Sequence, residues 1–318
     1  MKWLALAAMS AATCWSPVQA QDYPARPVRI IVAYQAGQGT DVATRFVAEQ
    51  LTKAIGQSFF IENRAGAGGN VGTAEAARAA PDGYTLTMGT SGTQTMNPFL
   101  YASTGYDAEK AFDPIILVSR FPMVIAAGPS ASFKNVTELL EAARANPKAA
   151  DMAIPSTTAR LVVELLKERT GIGLFGVPYK GSPAASTDVL GGQLPILIDT
   201  ISGARPGLSS GKLRPIAVTS AKPSALLPGV PSVAEQGVPG FDVSAWNALY
   251  APRGTPAASI TRLNAEVAKV LAQPDVQQRL LQLGHEPVGG TPAELAAFEK
   301  SEREKWGPII KKAGLKAD

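Results

Sequence analysis

Two glycine-rich turns, each following an apolar run, are the segments of this chain best equipped for chemistry. Val28-Arg29-Ile30-Ile31-Val32-Ala33 leads into Tyr34-Gln35-Ala36-Gly37-Gln38-Gly39-Thr40-Asp41, and a second turn reads Arg64-Ala65-Gly66-Ala67-Gly68-Gly69-Asn70. A β-branched run, then glycines, then a helix start aims free backbone N–H groups at the space above a sheet edge, and the positive end of the helix favours an anion there. Gly37 and Gly39 let the backbone come close to a ligand. A carboxylate at such a turn accepts several N–H bonds without a formal cation. The plainer reading is a strand-to-helix turn that uses glycine for its dihedral angles. Two such turns side by side at the carboxyl edge of a parallel sheet favour binding.

Other chemistries lack their residues. His285 is the sole histidine and follows Gly284 near the end of a tail helix, where it reads as a surface loop residue. A two-histidine zinc site or a Ser-His-Asp triad needs more. Gly66-Ala67-Gly68 would need glycine where Val71 stands to complete a dinucleotide fingerprint, and Gly211-Lys212 has Pro206 where a P-loop needs glycine. No cofactor and no metal is implied. Asp41, Asp199 and Asp242 are the carboxyls a hydrolase would draw on, yet nothing in the sequence sets two of them about one bond. The formal net charge of +4 comes without a basic run or basic-aromatic stripe, so there is no case for nucleic acid.

The elements that must position the turns alternate. A buried strand over Val28 to Ala33 precedes a helix begun at Thr40 and ended by Gly56. A strand over Ser58 to Glu62, a short Ala-rich helix to Ala80 that Asn70 can cap, and a strand over Tyr84 to Met88 follow. Asp113 to Ala126 is strand-rich and broken at Pro122. Helices are then expected over Asn135 to Ala145, Leu161 to Arg169 and Ala184 to Leu190, with extended stretches at Leu174 to Val177, Ile196 to Ile198 and Ile216 to Thr219. Pro223 to Pro239 has enough apolar residues to be a structured loop. A strand over Val243 to Ala251 leads to three tail helices, over Pro256 to Leu271, Pro274 to Leu283 and Pro292 to Ala313. The pattern is α/β with a helical tail, and it leaves open which units share a sheet.

The amino terminus has the pattern of a cleaved secretory signal over residues 1–20: Lys2, an apolar stretch from Trp3 to Trp15, and Val18-Gln19-Ala20 before Gln21. Cys14 is the only cysteine and lies within it, so the mature chain would carry no thiol. Ala11-Ala12-Thr13 before Cys14 lacks the leucine of a lipidation signal.

The wording of the chain resembles a known family. Tyr23-Pro24-Ala25-Arg26-Pro27-Val28, Glu62-Asn63-Arg64-Ala65-Gly66-Ala67-Gly68-Gly69-Asn70-Val71-Gly72 and Ala80-Pro81-Asp82-Gly83-Tyr84 are similar to segments of the Bug family. Those proteins are the periplasmic solute receptors of tripartite tricarboxylate transport systems. Later segments, among them Asp188-Val189-Leu190-Gly191-Gly192-Gln193 and Ala251-Pro252-Arg253-Gly254-Thr255-Pro256, extend the resemblance over the mature chain. It implies a two-lobed, Venus-flytrap fold of the type II periplasmic binding protein kind. Residues 21–124 and 243–318 would form a carboxylate-gripping lobe and residues 125–242 the other.

The resemblance also implies a ligand set. Tyr34, Gln35, Ala36, Gly37, Gln38 and Asp41 would line the cleft from the first turn, and Ala67, Gly68 and Gly69 from the second. Ser156, Thr157, Thr158, Tyr179 and Asp199 would close on the ligand from the other lobe, with Lys180 beside Tyr179. Gln38 stands where relatives often have glycine, and Arg160 where they usually have histidine. An arginine in a first helical turn opposes the helix dipole, so Arg160 either meets an anion or is a solvated surface residue. The expectation is a monomeric periplasmic receptor, not an enzyme, that captures a dicarboxylate or an aromatic carboxylate and delivers it to the membrane subunits of a transporter. A secreted hydrolase and a receptor for a signalling kinase remain the alternatives.

Overall fold

Val28, Ile30, Ile31 and Val32 are fully buried, and a run apolar on both faces requires layers on both sides of its sheet. The computed structural model describes residues 23–179 and 181–317. The expected signal, Cys14 and Lys180 lie outside the described residues. β1 (Val28–Val32) feeds α1 (Gly39–Ile55), which Gly56 ends with φ +80° and an N–H to Thr52 O. β2 (Phe59–Asn63), α2 (Asn70–Ala77) and β3 (Thr85–Thr90) follow, and β1 pairs in parallel with both β2 and β3. β9 (Ser244–Pro252) runs antiparallel against β3 and joins it to β4 (Phe112–Ala127).

β4 is unbroken. A break was expected at Pro122, but Pro122 sits in register with Ser244, where its missing N–H coincides with a change of neighbour. Up to Pro122 the strand pairs with β9. From Met123 on it pairs with β7 (Ile196–Thr200) and β8 (Arg214–Val218). Thr219 staples the exchange, accepting the Met123 N–H at 2.8 Å and donating to Val243 O at 2.7 Å. β5 (Met152–Ile154) and β6 (Gly176–Pro178) continue the second parallel set, giving the order β2-β1-β3-β9-β4-β7-β5-β6. β10 (Glu286–Gly289) pairs with β4 beside β9.

The second parallel set carries α5 (Thr157–Thr170), α6 (Ser182–Leu190) and α7 (Ile201–Ser209). Ser156 caps α5 and Thr200 caps α7, while α4 (Val136–Ala145) is capped by Asn135 as its spacing to Glu138 predicts. The tail is α8 (Ala257–Leu271), α9 (Pro274–Gln282) and α10 (Pro292–Lys312), the last opened by a Thr291/Glu294 capping box. α10 does not stay with one parallel set. Leu295 and Phe298 pack with Trp246 beside the first, whereas Trp306, Ile309 and Ile310 join the core of Val136, Leu139, Leu161 and Leu165. Among the described residues, no helix is long and apolar enough to cross a membrane.

Several short elements escaped the sequence pattern. Gly92–Met96 forms a π-helical turn that runs into α3 (Asn97–Leu100). Its polar side chains show no apolar period, yet Thr93, Gln94 and Thr95 are fully buried, with Thr95 donating to Ser91 O. α7 carries Gly203 and Pro206, poor helix formers, and holds its shape through burial of Ile201 and Ala204. β10 is too short to show alternation.

Candidate functional site

The first turn leaves backbone donors unspent. Gln38 precedes α1 but its side chain makes no capping bond, and Gly39, Thr40 and Asp41 N–H find no acceptor among the described residues. Gln35 to Gly39 are exposed. Asp41 shapes this turn: it is 1 % exposed and accepts from Gly37 N at 2.8 Å, Arg45 Nε at 3.0 Å and Asn63 Nδ2 at 2.8 Å. Burial alone would raise its pKa, but the bonds from Arg45, Gly37 and Asn63 outweigh that and hold the carboxyl below its usual range. Both its oxygens are thereby occupied within the protein. Asn63 also donates to Tyr34 O, tying the turn to β2, and the Tyr34 hydroxyl bonds Thr90 Oγ1 at 2.8 Å.

The second turn is left-handed throughout, with φ of +46° at Ala67, +63° at Gly68 and +95° at Gly69. Ala67 is strained there and is held by its neighbours. Gly69 N–H bonds Gly66 O, Thr73 Oγ1 donates to Gly69 O, and Asn97 Nδ2 donates to Gly68 O at 3.0 Å. Ala67 and Gly68 N–H have no acceptor among the described residues and both residues are exposed. α2 starts at Gly69 without a side-chain cap. The sequence placed Asn70 in that role; its Oδ1 instead accepts from Asn97 Nδ2 and the Tyr106 hydroxyl.

Across the sheet, helix starts again stand at the carboxyl ends of parallel strands. Ser156 and Thr157 are exposed and Thr158 is half-buried at the start of α5, where the Ser156 hydroxyl accepts Ala159 N–H. The Tyr179 hydroxyl donates to Asp188 at 2.6 Å, and that bond pushes its pKa up to about 12. Asp199 is 2 % exposed; Oδ1 accepts Thr200 N–H, while Oδ2, against Gly203, has no hydrogen-bond partner among the described residues. Burial pushes its carboxyl above the usual range, only partly offset by Ser182 and Thr200.

His285 corrects an expectation. It is 3 % exposed rather than a surface residue, bonding Ser119 Oγ through Nδ1 at 3.2 Å and meeting the Phe121 ring edge-on. Burial pushes its pKa down to about 4, so it is neutral at pH 7. A β-carbon on Gly39 would lie 3.7 Å from its Nε2, and one on Gly284 would lie 3.2 Å from Ser202 Cβ in α7. His285 and Gly284 therefore bring the starts of α1 and α7 to one place.

The chain as a whole matches a known family. The model of the tripartite tricarboxylate transporter family receptor matches residues 43–315. The chain belongs to that family. Protein BugT of Bordetella pertussis is 34% identical over 304 residues, 95% of this chain and 93% of that one. An R. palustris protein solved with adipate is 35% identical with a TM-score of 0.81, covering 93% of this chain and 99% of that one. MatC of Rhodopseudomonas palustris, solved with bound malate, is 31% identical with a TM-score of 0.74, covering 91% and 100%. The mixed α/β fold is thus that of the family's periplasmic binding proteins.

In this receptor Arg160 is exposed and makes no ion pair among the described residues. It lines a groove of about 310 Å³ with Val163, Glu164, Lys167 and Phe175, between α5 and the edge strand β6. A second cavity, of about 590 Å³, lies between residues 98–110 and Arg303 of α10. Neither includes the first turn or the second. The sequence reading missed Asn97, which holds the second turn from below, and Asn247, whose Oδ1 accepts from Thr40 Oγ1 at the start of α1. The Asn97-Pro98 pair was the available signal for the first, as a helix start with proline in its opening turn. Nothing local marks Asn247 within an apolar strand.

Proposed function

We propose that this chain is an exported, monomeric receptor that takes up a small dicarboxylate between two lobes and presents the closed form to the membrane subunits of a tripartite transporter. The observation that carries the reading is the pair of exposed glycine turns at one sheet edge. α1 and α2 start there without a side-chain cap, and Gly39, Thr40, Asp41, Ala67 and Gly68 N–H find no acceptor among the described residues. Uncapped N–H groups on exposed turns favour a carboxylate, which supplies the acceptors the sequence leaves out.

Residues 21–124 with 243–318 act as the gripping lobe and residues 125–242 as the closing one, with the partner exchange at Pro122 and Met123 as one hinge strand. One carboxylate docks on Gly37 to Asp41 and Ala67 to Gly69; Ser156, Thr157 and Thr158 then come over the far end. The relatives solved with adipate and malate support a diacid as the ligand class. Mixing the protein with a panel of acetate, succinate, malate, adipate, benzoate and glucose tests the class. At about a hundredfold above Kd, a bound diacid stabilises the fold by about 2.7 kcal/mol, a clear rise in melting temperature. A shift with glucose and none with the acids would overturn the reading.

Arg160 supplies the second charge in this reading, reaching the far carboxylate as the lobes close. Arg160→Ala is then expected to weaken a diacid by about tenfold or more, because it removes a charge-assisted bond, and to leave a monoacid nearly unaffected. Calorimetry with both acids decides it. Equal losses, or none, would assign Arg160 to the α5–β6 groove instead.

A further inference from the structure

We propose that Tyr101 is a ligand-contacting residue, its hydroxyl donating to the same carboxylate oxygen that the second turn engages. The inference rests on the reading of the glycine turns as a carboxylate grip and adds a side chain to it. Tyr101 follows α3 directly, its N–H bonded to Asn97 O at 3.0 Å, and Asn97 is the residue that also holds Gly68 O. One short element thus fixes both the turn and the tyrosine. The Tyr101 ring packs on the apolar cluster that includes Met96, Leu100 and Trp306, which sets the direction of its hydroxyl.

That hydroxyl stands over Gly68. A β-carbon at Gly68 would collide with it and would come within 3.2 Å of Cζ. The hydroxyl makes no hydrogen bond among the described residues, whereas Tyr34, Tyr106 and Tyr250, in the same half of the molecule, each bond theirs to Thr90, Asn70 and Thr93, or Glu299. Packing alone would be served by phenylalanine. A phenol oxygen set against a glycine whose own N–H is also unspent is a second neutral donor beside the first, and a carboxylate oxygen can accept from both.

Tyr101→Phe removes one oxygen and keeps the ring, so the free protein should melt as the wild type does. The expected result is a Kd for succinate, malate and adipate weakened by about tenfold or more, since a hydrogen bond to a charged group is worth somewhat over the 1.4 kcal/mol of one decade. Acetate should lose by the same factor, because the hydroxyl works at the carboxylate common to all four; Arg160→Ala separates the acids by charge. Wild-type binding with an unchanged Kd in Tyr101→Phe overturns the assignment and leaves the receptor reading standing. A wild-type protein that binds none of these acids overturns both.

Discussion

Gly68→Val abolishes carboxylate binding while most of the fold survives. Gly68 has φ +63°, where an L-residue costs about 1–2 kcal/mol and a β-branched one more. Its β-carbon would collide with the Tyr101 hydroxyl and lie 3.2 and 3.3 Å from ring carbons Cζ and Cε2, so either the turn or the tyrosine must move. Both carry donors to the proposed anion site, and the expected loss in affinity exceeds about a hundredfold, the sum of displacing more than one charge-assisted bond. Gly37→Ala is the contrast. Gly37 has φ +85°, but a β-carbon there meets nothing within 4 Å, and its N–H is already given to Asp41. It should cost stability through φ alone and weaken binding far less. Calorimetry for Kd and circular dichroism for the fold give the comparison; a folded Gly68→Val that binds within a few-fold of wild type would remove the second turn from the site.

Asp41→Ala is expected to have the largest effect on stability among the residues of the two turns. It removes the acceptor of Gly37 N–H, of the Arg45 Nε and of one Asn63 Nδ2 bond together, and because Gly37 and Arg45 reach solvent while Asn63 keeps Tyr34 O, the loss is about 1–2 kcal/mol. The pH dependence follows from the direction of its shift. Because the folded carboxyl is held below its usual range, the unfolded chain takes up the proton first as pH falls. The stabilisation is therefore complete above the ordinary carboxylate range, about pH 4. It is lost as pH drops through the folded value. Urea unfolding between pH 7 and 3 should show wild type losing stability on the acid side and Asp41→Ala losing less over that interval. Parallel curves would mean that Asp41 contributes no charge-dependent stability. Binding should weaken as well, because Asn63 would lose one of the two contacts by which it holds the first turn to β2.

Much of this was legible in the residues because its causes are local. Gly56 stops α1 through its own left-handed φ, Asn135 and Thr291 cap their helices with side chains one turn away, and Gly66 to Gly69 supply positive φ where the second turn needs it. The three tail helices fell within a residue or two of their expected bounds for the same reason, since apolar period and proline position act over a few turns. Family wording carried the fold class further than periodicity could, because it compares the chain as a whole.

Pro122 shows where local rules stop. Taken alone it breaks a strand; in the structure it falls where β4 trades β9 for β7 and β8, so the missing N–H accompanies a change of partner. His285 had no nearby residue to mark it as buried, because Ser119 and Phe121 reach it across the β4–β10 pairing. By itself the sequence determined most of the elements, the two glycine turns and the family. Tertiary structure alone decided that Asn63 donates to Asp41, that Tyr101 stands over Gly68, and that α10 packs into the core beside α5. Those outcomes depend on groups brought together from distant parts of the chain, and side-chain contacts of that kind leave no period or motif in the residues that make them.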